Sequence, residues 1–298
     1  MLDFMMVSMH SPKRGTVEIS PKFIICSPKD LMIRGGDFYA IWNEQTGLWS
    51  TDENDVQKLV DRELDIFYAE HKAECESRGE TVRVLHMWDG DTGIIDKFHK
   101  YCQKQMRDHF HPLDEKIIFA DTVTKRSDYA SKKLPYSLIP GDTPNYTKLS
   151  TTLYSPEELH KLEWAIGAII TGDAKKIQKF EVLYGSAGTG KGTMLDIIAK
   201  LFKGYDCSFE AKTLGSSTAS FPLEAFKNHP LVAIDFDGNL SRIEDNTRLN
   251  ALISHEEMPV NTKFGKLYPD KFKCFIFMGT NNPVRITDAK SGLIRRLI

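Results

Sequence analysis

The sequence predicts an α/β architecture: a parallel sheet with its helices in residues 151–298, preceded by a smaller α+β domain with a connector in residues 1–150. Three observations carry that expectation. Residues 180–202 run as a short apolar strand, a glycine-rich turn and an amphipathic helix. Two more apolar runs, 231–234 and 274–278, have the length of buried strands, and each ends in polar residues. Residues 37–64 read as two aromatic strands around a turn, followed by a helix.

The chain has 298 residues, a soft prior for two domains, and is 41% hydrophobic and 27% charged, enough to bury a core and stay soluble. A formal net charge of -2 excludes a whole-molecule basic field, so any nucleic-acid contact has to come from a local patch. No apolar run is long enough to cross a bilayer. The opening MLDFMMVSMH has no basic leader or small-residue cleavage site and does not read as a signal peptide. The cysteines (Cys26, Cys75, Cys102, Cys207, Cys274) are odd in number, scattered and without a CxxC pair, which suits a reducing, cytoplasmic compartment. His99, Cys102, His109 and His111 match no zinc spacing and are expected as surface or packing residues.

Within residues 37–49 (DFYAIWNEQTGLW) the turn closes at Gly47, and the aromatic side chains are expected in a core rather than against bases. Ser50 and Glu53 have capping-box spacing, and the helix after them carries Val56, Leu59, Val60 and Leu64 on one face. Residues 112–150, rich in Pro, Asp, Lys, Ser and Thr, read as a solvated connector. Ser155 then caps a helix with Pro156 at its first position and acids in its first turn; Leu159, Leu162, Ile166, Ile169 and Ile170 are its expected buried face.

The turn in 180–202 is Gly185-Ser186-Ala187-Gly188-Thr189-Gly190-Lys191-Gly192-Thr193. Strand, glycine-rich loop, then helix is the context of a phosphate-binding loop: glycines let backbone N–H groups turn towards phosphate oxygens, and the helix N-terminus adds its positive end. Lys191 supplies a point charge for the β- and γ-phosphates. The hydroxyl that usually follows the lysine is displaced by one residue, to Thr193, with Gly192 in its place. Magnesium is then expected to be held more through water, with Thr193 nearer the α- and β-phosphates.

Leu231-Val232-Ala233-Ile234 ends in Asp235-Phe236-Asp237-Gly238, the pattern of a Walker B strand. Strand period places Asp235 and Asp237 on one side and Phe236 on the other, so that one acid orders the magnesium shell and the other orients water. The strand at 274–278 ends in Gly279-Thr280-Asn281-Asn282-Pro283, which sets Asn281 where a γ-phosphate would lie. The pair Arg295-Arg296 near the chain end suits an arginine finger reaching a neighbouring subunit.

The order of these motifs resembles the superfamily 3 helicases of viruses, phages and plasmids, most of all the helicase half of the phage and poxvirus type of primase–helicase. GSAGTGKGT, LVAIDFD, VNTKFGKLY, FMGTNNPVRITDAKSG and LIRRLI carry the resemblance, with the lead-in LEWAIGAIITGDAKKIQKFEVLYG; it covers about residues 155–298. It implies an AAA+ P-loop ATPase core with sheet order 5-1-4-3-2. Lys191 and Thr193 would belong to Walker A, Asp235 would be the Walker B acid and Asn281 the polar sensor. Arg296 would be the finger, with Arg295 in reserve. A DNA-binding hairpin would carry Lys263, Phe264 and Lys266 around Gly265. Phe236 interrupts the family's adjacent acids, which leaves the part of Asp237 less fixed than that of Asp235. The chain ends two residues after Arg296, where a further strand follows in the family, so a C-terminally truncated piece is expected.

The implied activity is ATP- and magnesium-dependent DNA unwinding by a homo-oligomeric, hexameric ring on single-stranded DNA, in replication of a phage or mobile element. No membrane partner is implied, and the compartment is the host cytoplasm. Two alternatives stay open: a nucleotide-switched origin-binding or assembly ATPase, and a nucleotide kinase, for which neither a lid nor an acceptor-base pocket is visible in the sequence.

Overall fold

The computed structural model describes residues 2–26, 28–34, 36–88, 92–105, 110–216, 218–239, 245–261, 268–283 and 292–298. The chain packs as two compact units, one of Met1–Leu113 with Val123–Lys132, the other of Asp114–Thr122 with Lys133–Ile298.

In the first unit, β1 (Met5–Lys13) and β2 (Thr16–Phe23) pair antiparallel. A second antiparallel sheet holds β3 (Leu31–Arg34), β4 (Asp37–Asn43) and β5 (Leu48–Ser50). Helix α1 (Glu53–Ser77) leads to β6 (Thr81–Val84), parallel to β2, and then to α2 (Thr92–Lys104). The aromatic hairpin forms as expected: Trp42 faces Trp49 across β4 and β5, both buried, with ring centroids 5.7 Å apart edge to face. The cap of α1 is not the expected one. Asp52 accepts the Asn54 N–H at 2.9 Å, while Ser50 Oγ donates to Asp55 at 2.7 Å. The carboxylate two residues nearer the helix wins because it reaches the first-turn donors directly. Val56, Val60 and Leu64 then face Ile94 and Phe98 in one core.

Residues 112–150 are not a solvated connector. Leu113 and Ala130 are buried in the first unit, and Ile118 and Leu134 in the second, where the Ile118 N–H donates to Tyr205 Oη at 3.1 Å. The same stretch runs into a helix, α3 (Pro144–Leu153). Helix α4 (Pro156–Thr171) starts on a complete capping box: the Ser155 N–H donates to Glu158 at 2.8 Å, and the Glu158 N–H points back to Ser155 Oγ at 3.4 Å. Its fully buried residues are Leu162, Ala165, Ala168 and Ile169, so the inward face is turned towards the two alanines; Leu159, Ile166 and Ile170 are half-buried.

The second unit is built on β7 (Phe180–Tyr184), α5 (Lys191–Leu201), β8 (Asp206–Ser208), α6 (Ala211–Leu214), β9 (Val232–Asp235), α7 (Thr247–Ile253), β10 (Glu257–Val260), β11 (Tyr268–Lys271) and β12 (Phe275–Thr280). Strands β7, β12, β9 and β8 form a four-stranded parallel sheet in that order, which is first, fourth, third and second along the chain. The last residue pairs with the remaining edge of β7: the Ile298 N–H donates to Phe180 O at 3.0 Å, and the Val182 N–H to Ile298 O at 3.2 Å. Side chains alternate between two cores. Phe275, Phe277, Val232 and Ile234 meet α4 and α5 on one face; Ile276, Met278 and Ala233 meet α6 and α7 on the other. Strands β10 and β11 pair antiparallel from Glu257↔Lys271 to Val260↔Tyr268. Lys263, Phe264, Gly265 and Lys266, expected at the hairpin tip, lie outside the described residues.

Glu181, the second residue of β7, is only 5% exposed, and its Oε2 has no hydrogen-bond partner among the described residues. Burial pushes its carboxyl up to about 7, against a smaller downward pull from Lys161. A raised folded-state value means that this group favours folding below its unfolded value, near 4.5, and that the contribution is lost as pH rises through about 7. Glu181→Gln should therefore remove a pH-dependent loss of stability between pH ~5 and ~8, worth up to about 3 kcal/mol at 1.36 kcal/mol per unit. Thermal melts of both proteins across that range measure it; equal pH slopes would show that Glu181 does not titrate there.

Candidate functional site

The carboxyl ends of β7, β12 and β9 lie along one edge of the sheet, because all three strands are parallel. The glycine-rich loop leaves this edge from β7 and enters α5. Gly188 and Gly190 have φ of +80° and +82°, the left-handed region. Gly190 is also where α5 begins, and no side chain caps that end. The first-turn N–H groups, on Lys191, Gly192 and Thr193, are therefore not taken by a capping side chain. Lys191 Nζ donates to the carbonyls of Gly185 and Ser186, each at 2.8 Å, and approaches Thr189 Oγ1 at 3.4 Å. Thr189 Oγ1 donates to Ser186 O at 2.8 Å, which closes the loop on itself. Ser186, Ala187, Gly188 and Thr189 stay exposed, as do Gly192 and Thr193 on the first turn of α5. The arrangement is an ammonium and a helix N-terminus offered on one exposed turn, which is chemistry for a phosphate.

Asp235 ends β9 and is 5% exposed. Its Oδ2 accepts the Ala211 N–H at 2.8 Å, and its Oδ1 the Asp237 N–H at 3.2 Å. Burial raises its pKa; the two backbone donors oppose that, and Glu210 and Asp237 add to it. A buried carboxylate held above its ordinary range among other acids fits a divalent cation, which would supply the missing counter-charge. The strand stops at Asp235, so the period-two argument does not extend to Asp237. Asp237 lies in an exposed turn, folded back so that its N–H meets Asp235, and Phe236 is exposed beside it.

That turn is pressed onto the end of β12. The Gly238 N–H donates to Gly279 O at 2.8 Å. A Cβ on Gly279 would lie 2.9 Å from both Phe236 O and Leu195 Cδ1, so any side chain there would push the acidic turn away. Thr280, the last residue of β12, is buried; its Oγ1 accepts the Asn282 N–H at 3.1 Å. Asn281 is exposed in the same turn.

A cavity of about 460 Å³ opens beside Asp235 and Asp237. Its wall includes Glu210, Lys212 and Asn282, none of which the sequence singled out. Glu210 and Lys212 follow β8, a strand of three residues too short to announce itself by periodicity. Asn282 is the neighbour of the asparagine that was expected, and only the turn geometry separates the two.

The structure gives Arg296 a partner set that a finger would not have. It is 7% exposed. Its guanidinium donates to Ser254 Oγ at 2.6 and 3.1 Å, to Gly292 O at 2.9 Å and towards Asn250 Oδ1 at 3.4 Å. Arg295 is exposed, and its side chain is the one turned to solvent. In the other unit, the metal-like group of the sequence is dispersed: His99 meets Glu53 at 2.6 Å, Cys102 is in the core, and His111 stacks on Tyr129 with centroids 3.7 Å apart. His109 lies outside the described residues.

A family of unknown function (DUF5906) matches residues 183–296. No curated protein matches the chain. Among solved structures, the apo structure of the NrS-1 C-terminal region superimposes with a TM-score of 0.45 at 21% identity, over 55% of this chain and 39% of that one. An A form of the same region gives a TM-score of 0.47 at 17% identity, over 63% and 45%. The chain thus spans about two fifths of the length of the structures it matches.

The two arginines should separate in a stability measurement. Arg296→Ala leaves Ser254 and Gly292 without a buried partner, and should cost about 2 kcal/mol, seen as a lower unfolding midpoint. Arg295→Ala should change the midpoint by no more than about 0.5 kcal/mol. Equal midpoints for wild type and Arg296→Ala would show that the buried guanidinium does not brace the fold.

Proposed function

We propose that the second unit is an AAA+ P-loop ATPase of the superfamily 3 helicase kind, and that the chain works as a ring-forming, ATP-dependent DNA helicase in replication of a phage or mobile element. The observation that carries this reading is the glycine-rich loop with Lys191 fixed over it, on the same parallel-sheet edge as the buried acid Asp235. The strand order supports it. First, fourth, third, second, with the chain end on the open side of the first strand, is the 1-4-3-2 part of the family's order with a place for a fifth strand.

Residues 185–193 bind the triphosphate, with Lys191 and the N-terminus of α5 balancing the charge of the β- and γ-phosphates. Asp235, with Thr193, would hold magnesium, which when bound would supply positive charge against the phosphates. Asp237 orients a water for attack on the γ-phosphorus, and Asn281 holds that phosphate or the water. The bond from the γ-phosphorus to the β–γ bridging oxygen breaks, and ADP and phosphate leave. Of the two terminal arginines, Arg295 is the one able to reach a neighbouring subunit without giving up buried partners, while Arg296 braces the turn that presents it. In a hexameric ring, Lys263, Phe264 and Lys266, which fall between β10 and β11 in the sequence, would meet single-stranded DNA.

ATPase rate with and without single-stranded DNA, alongside a mass measurement in ATP, tests the whole reading. Lys191→Ala should lose triphosphate binding with the fold intact by circular dichroism. Asp235→Asn should lose magnesium-dependent turnover, and Asp237→Asn should bind nucleotide but turn over slowly. Mixing Arg295→Ala with Lys191→Ala subunits should restore part of the activity, because each supplies what the other lacks. Turnover that is indifferent to DNA, in a protein that stays monomeric in ATP, would sink the helicase assignment and leave a nucleotide-binding protein of another kind.

A further inference from the structure

The first unit carries a groove of about 490 Å³ between the β1–β2 hairpin and α2. We propose that this groove binds the phosphate backbone of single-stranded nucleic acid, as a site separate from the ATPase unit and independent of how that unit is read. Lys97, Lys100 and Lys104 line it from α2, at the i, i+3, i+7 spacing that stacks side chains on one helix face. The other face of α2 carries Ile94, Phe98 and Cys102 into the core, which fixes the direction of the lysines. Lys22 joins them from β2. No carboxylate lines the groove among the described residues; Glu18 is near, engaged with His10 at 3.6 Å on the rim. In a chain of net charge -2, four lysines on one concavity form a local field that composition does not lead one to expect.

The groove is more than a row of charges. Its floor is aromatic and apolar: Phe23 packs on Tyr101 with centroids 5.8 Å apart, and Ile25 beside them is 65% exposed. Tyr101 backs this floor and is buried. Lys97 and Lys104 lie about 10 Å apart along the helix, at 1.5 Å per residue. With a rise of ~3.4 Å per nucleotide on one strand of a duplex, and more in an extended strand, the row spans about two to three consecutive phosphates. Cations along an edge, with an apolar floor for bases, is the combination that sequence-tolerant single-strand binding uses. An acidic peptide would use the lysines, but has no planar groups for the floor.

The test is a fluorescence-anisotropy titration of the full chain with labelled oligo(dT), over a range of salt. It is made in wild type and in a Lys263→Ala/Lys266→Ala background, which removes the proposed hairpin contact. Adding Lys97→Ala/Lys100→Ala/Lys104→Ala should weaken binding at least about tenfold in either protein and flatten the log–log salt slope by about 2, at about 0.7 per lysine. These lysines are exposed, so the unfolding midpoint and basal ATPase rate should not change. Wild-type affinity and salt slope in the triple lysine variant overturn the proposal. So does polyglutamate competing as well as oligo(dT) at equal charge, which would assign the groove to acidic peptide. A hairpin background that binds like wild type counts against the hairpin contact alone and leaves the groove standing.

Discussion

Strand β12 is hydrogen-bonded to β7 on one side and to β9 on the other, both in parallel, and the candidate site exists because of that placement. Residues 180–184 and 232–235 are separated by nearly fifty positions in sequence, yet the register Met278↔Val182 and Met278↔Asp235 sets the glycine-rich loop and the buried acid one strand apart. Parallel pairing also fixes which end of every strand is the working end. An antiparallel β12 would send its Thr280 turn to the opposite edge, away from the loop. The nearly unbroken apolar character of β9 and β12 is the sequence counterpart of this arrangement, since both faces of each strand must be covered by helices.

Two opposite charges are prepared at that edge by different means. Lys191 is held by neutral acceptors, the carbonyls of Gly185 and Ser186, which position the ammonium without cancelling it. Asp235 is held by neutral donors, the N–H groups of Ala211 and Asp237, and burial still leaves it with a raised pKa. Neither charge is spent on an ion pair with the other. A cation beside the acid and a polyanion over the lysine would each satisfy one of them, which is the pair of ligands that the proposed magnesium–triphosphate reading brings.

Much of this was legible in the sequence, and the losses have identifiable causes. The loop, its flanking strand and helix, the Ser155 cap and the Trp42–Trp49 hairpin are local patterns, each contained in a few neighbouring residues. The cap of α1 was placed two residues early because Ser50 and Asp52 both satisfy a spacing rule, and only the backbone decides between them. Leu134 escaped notice because it is an isolated apolar residue in a polar stretch, and Ile118 because its short run Ile117-Ile118-Phe119-Ala120 is outweighed by the polar composition of residues 112–150. The wall of the cavity, from Glu210 to Asn282, is assembled by strand order, which no window of sequence contains. Arg296 shows the same limit from the other side. Two adjacent arginines are indistinguishable by type, and it is Ser254 and Gly292 that bury one and leave the other in solvent.

The lead-in to the loop belongs to the site as much as the loop does. Gly190 has two reasons to lack a side chain. Its φ of +82° is one, and the other is Leu153, whose methyl groups would lie 2.7 Å from a Cβ there. The second reason comes from α3, whose last residue is pressed against the point where the loop becomes a helix. The next residue, Tyr154, has a buried hydroxyl with no partner among the described residues, and the nearby Glu181 carboxyl raises its pKa further, after burial. The glycine-rich loop is therefore backed at Gly190 by a helix outside the motif, close to a tyrosine hydroxyl and a glutamate oxygen that have no hydrogen-bond partner among the described residues.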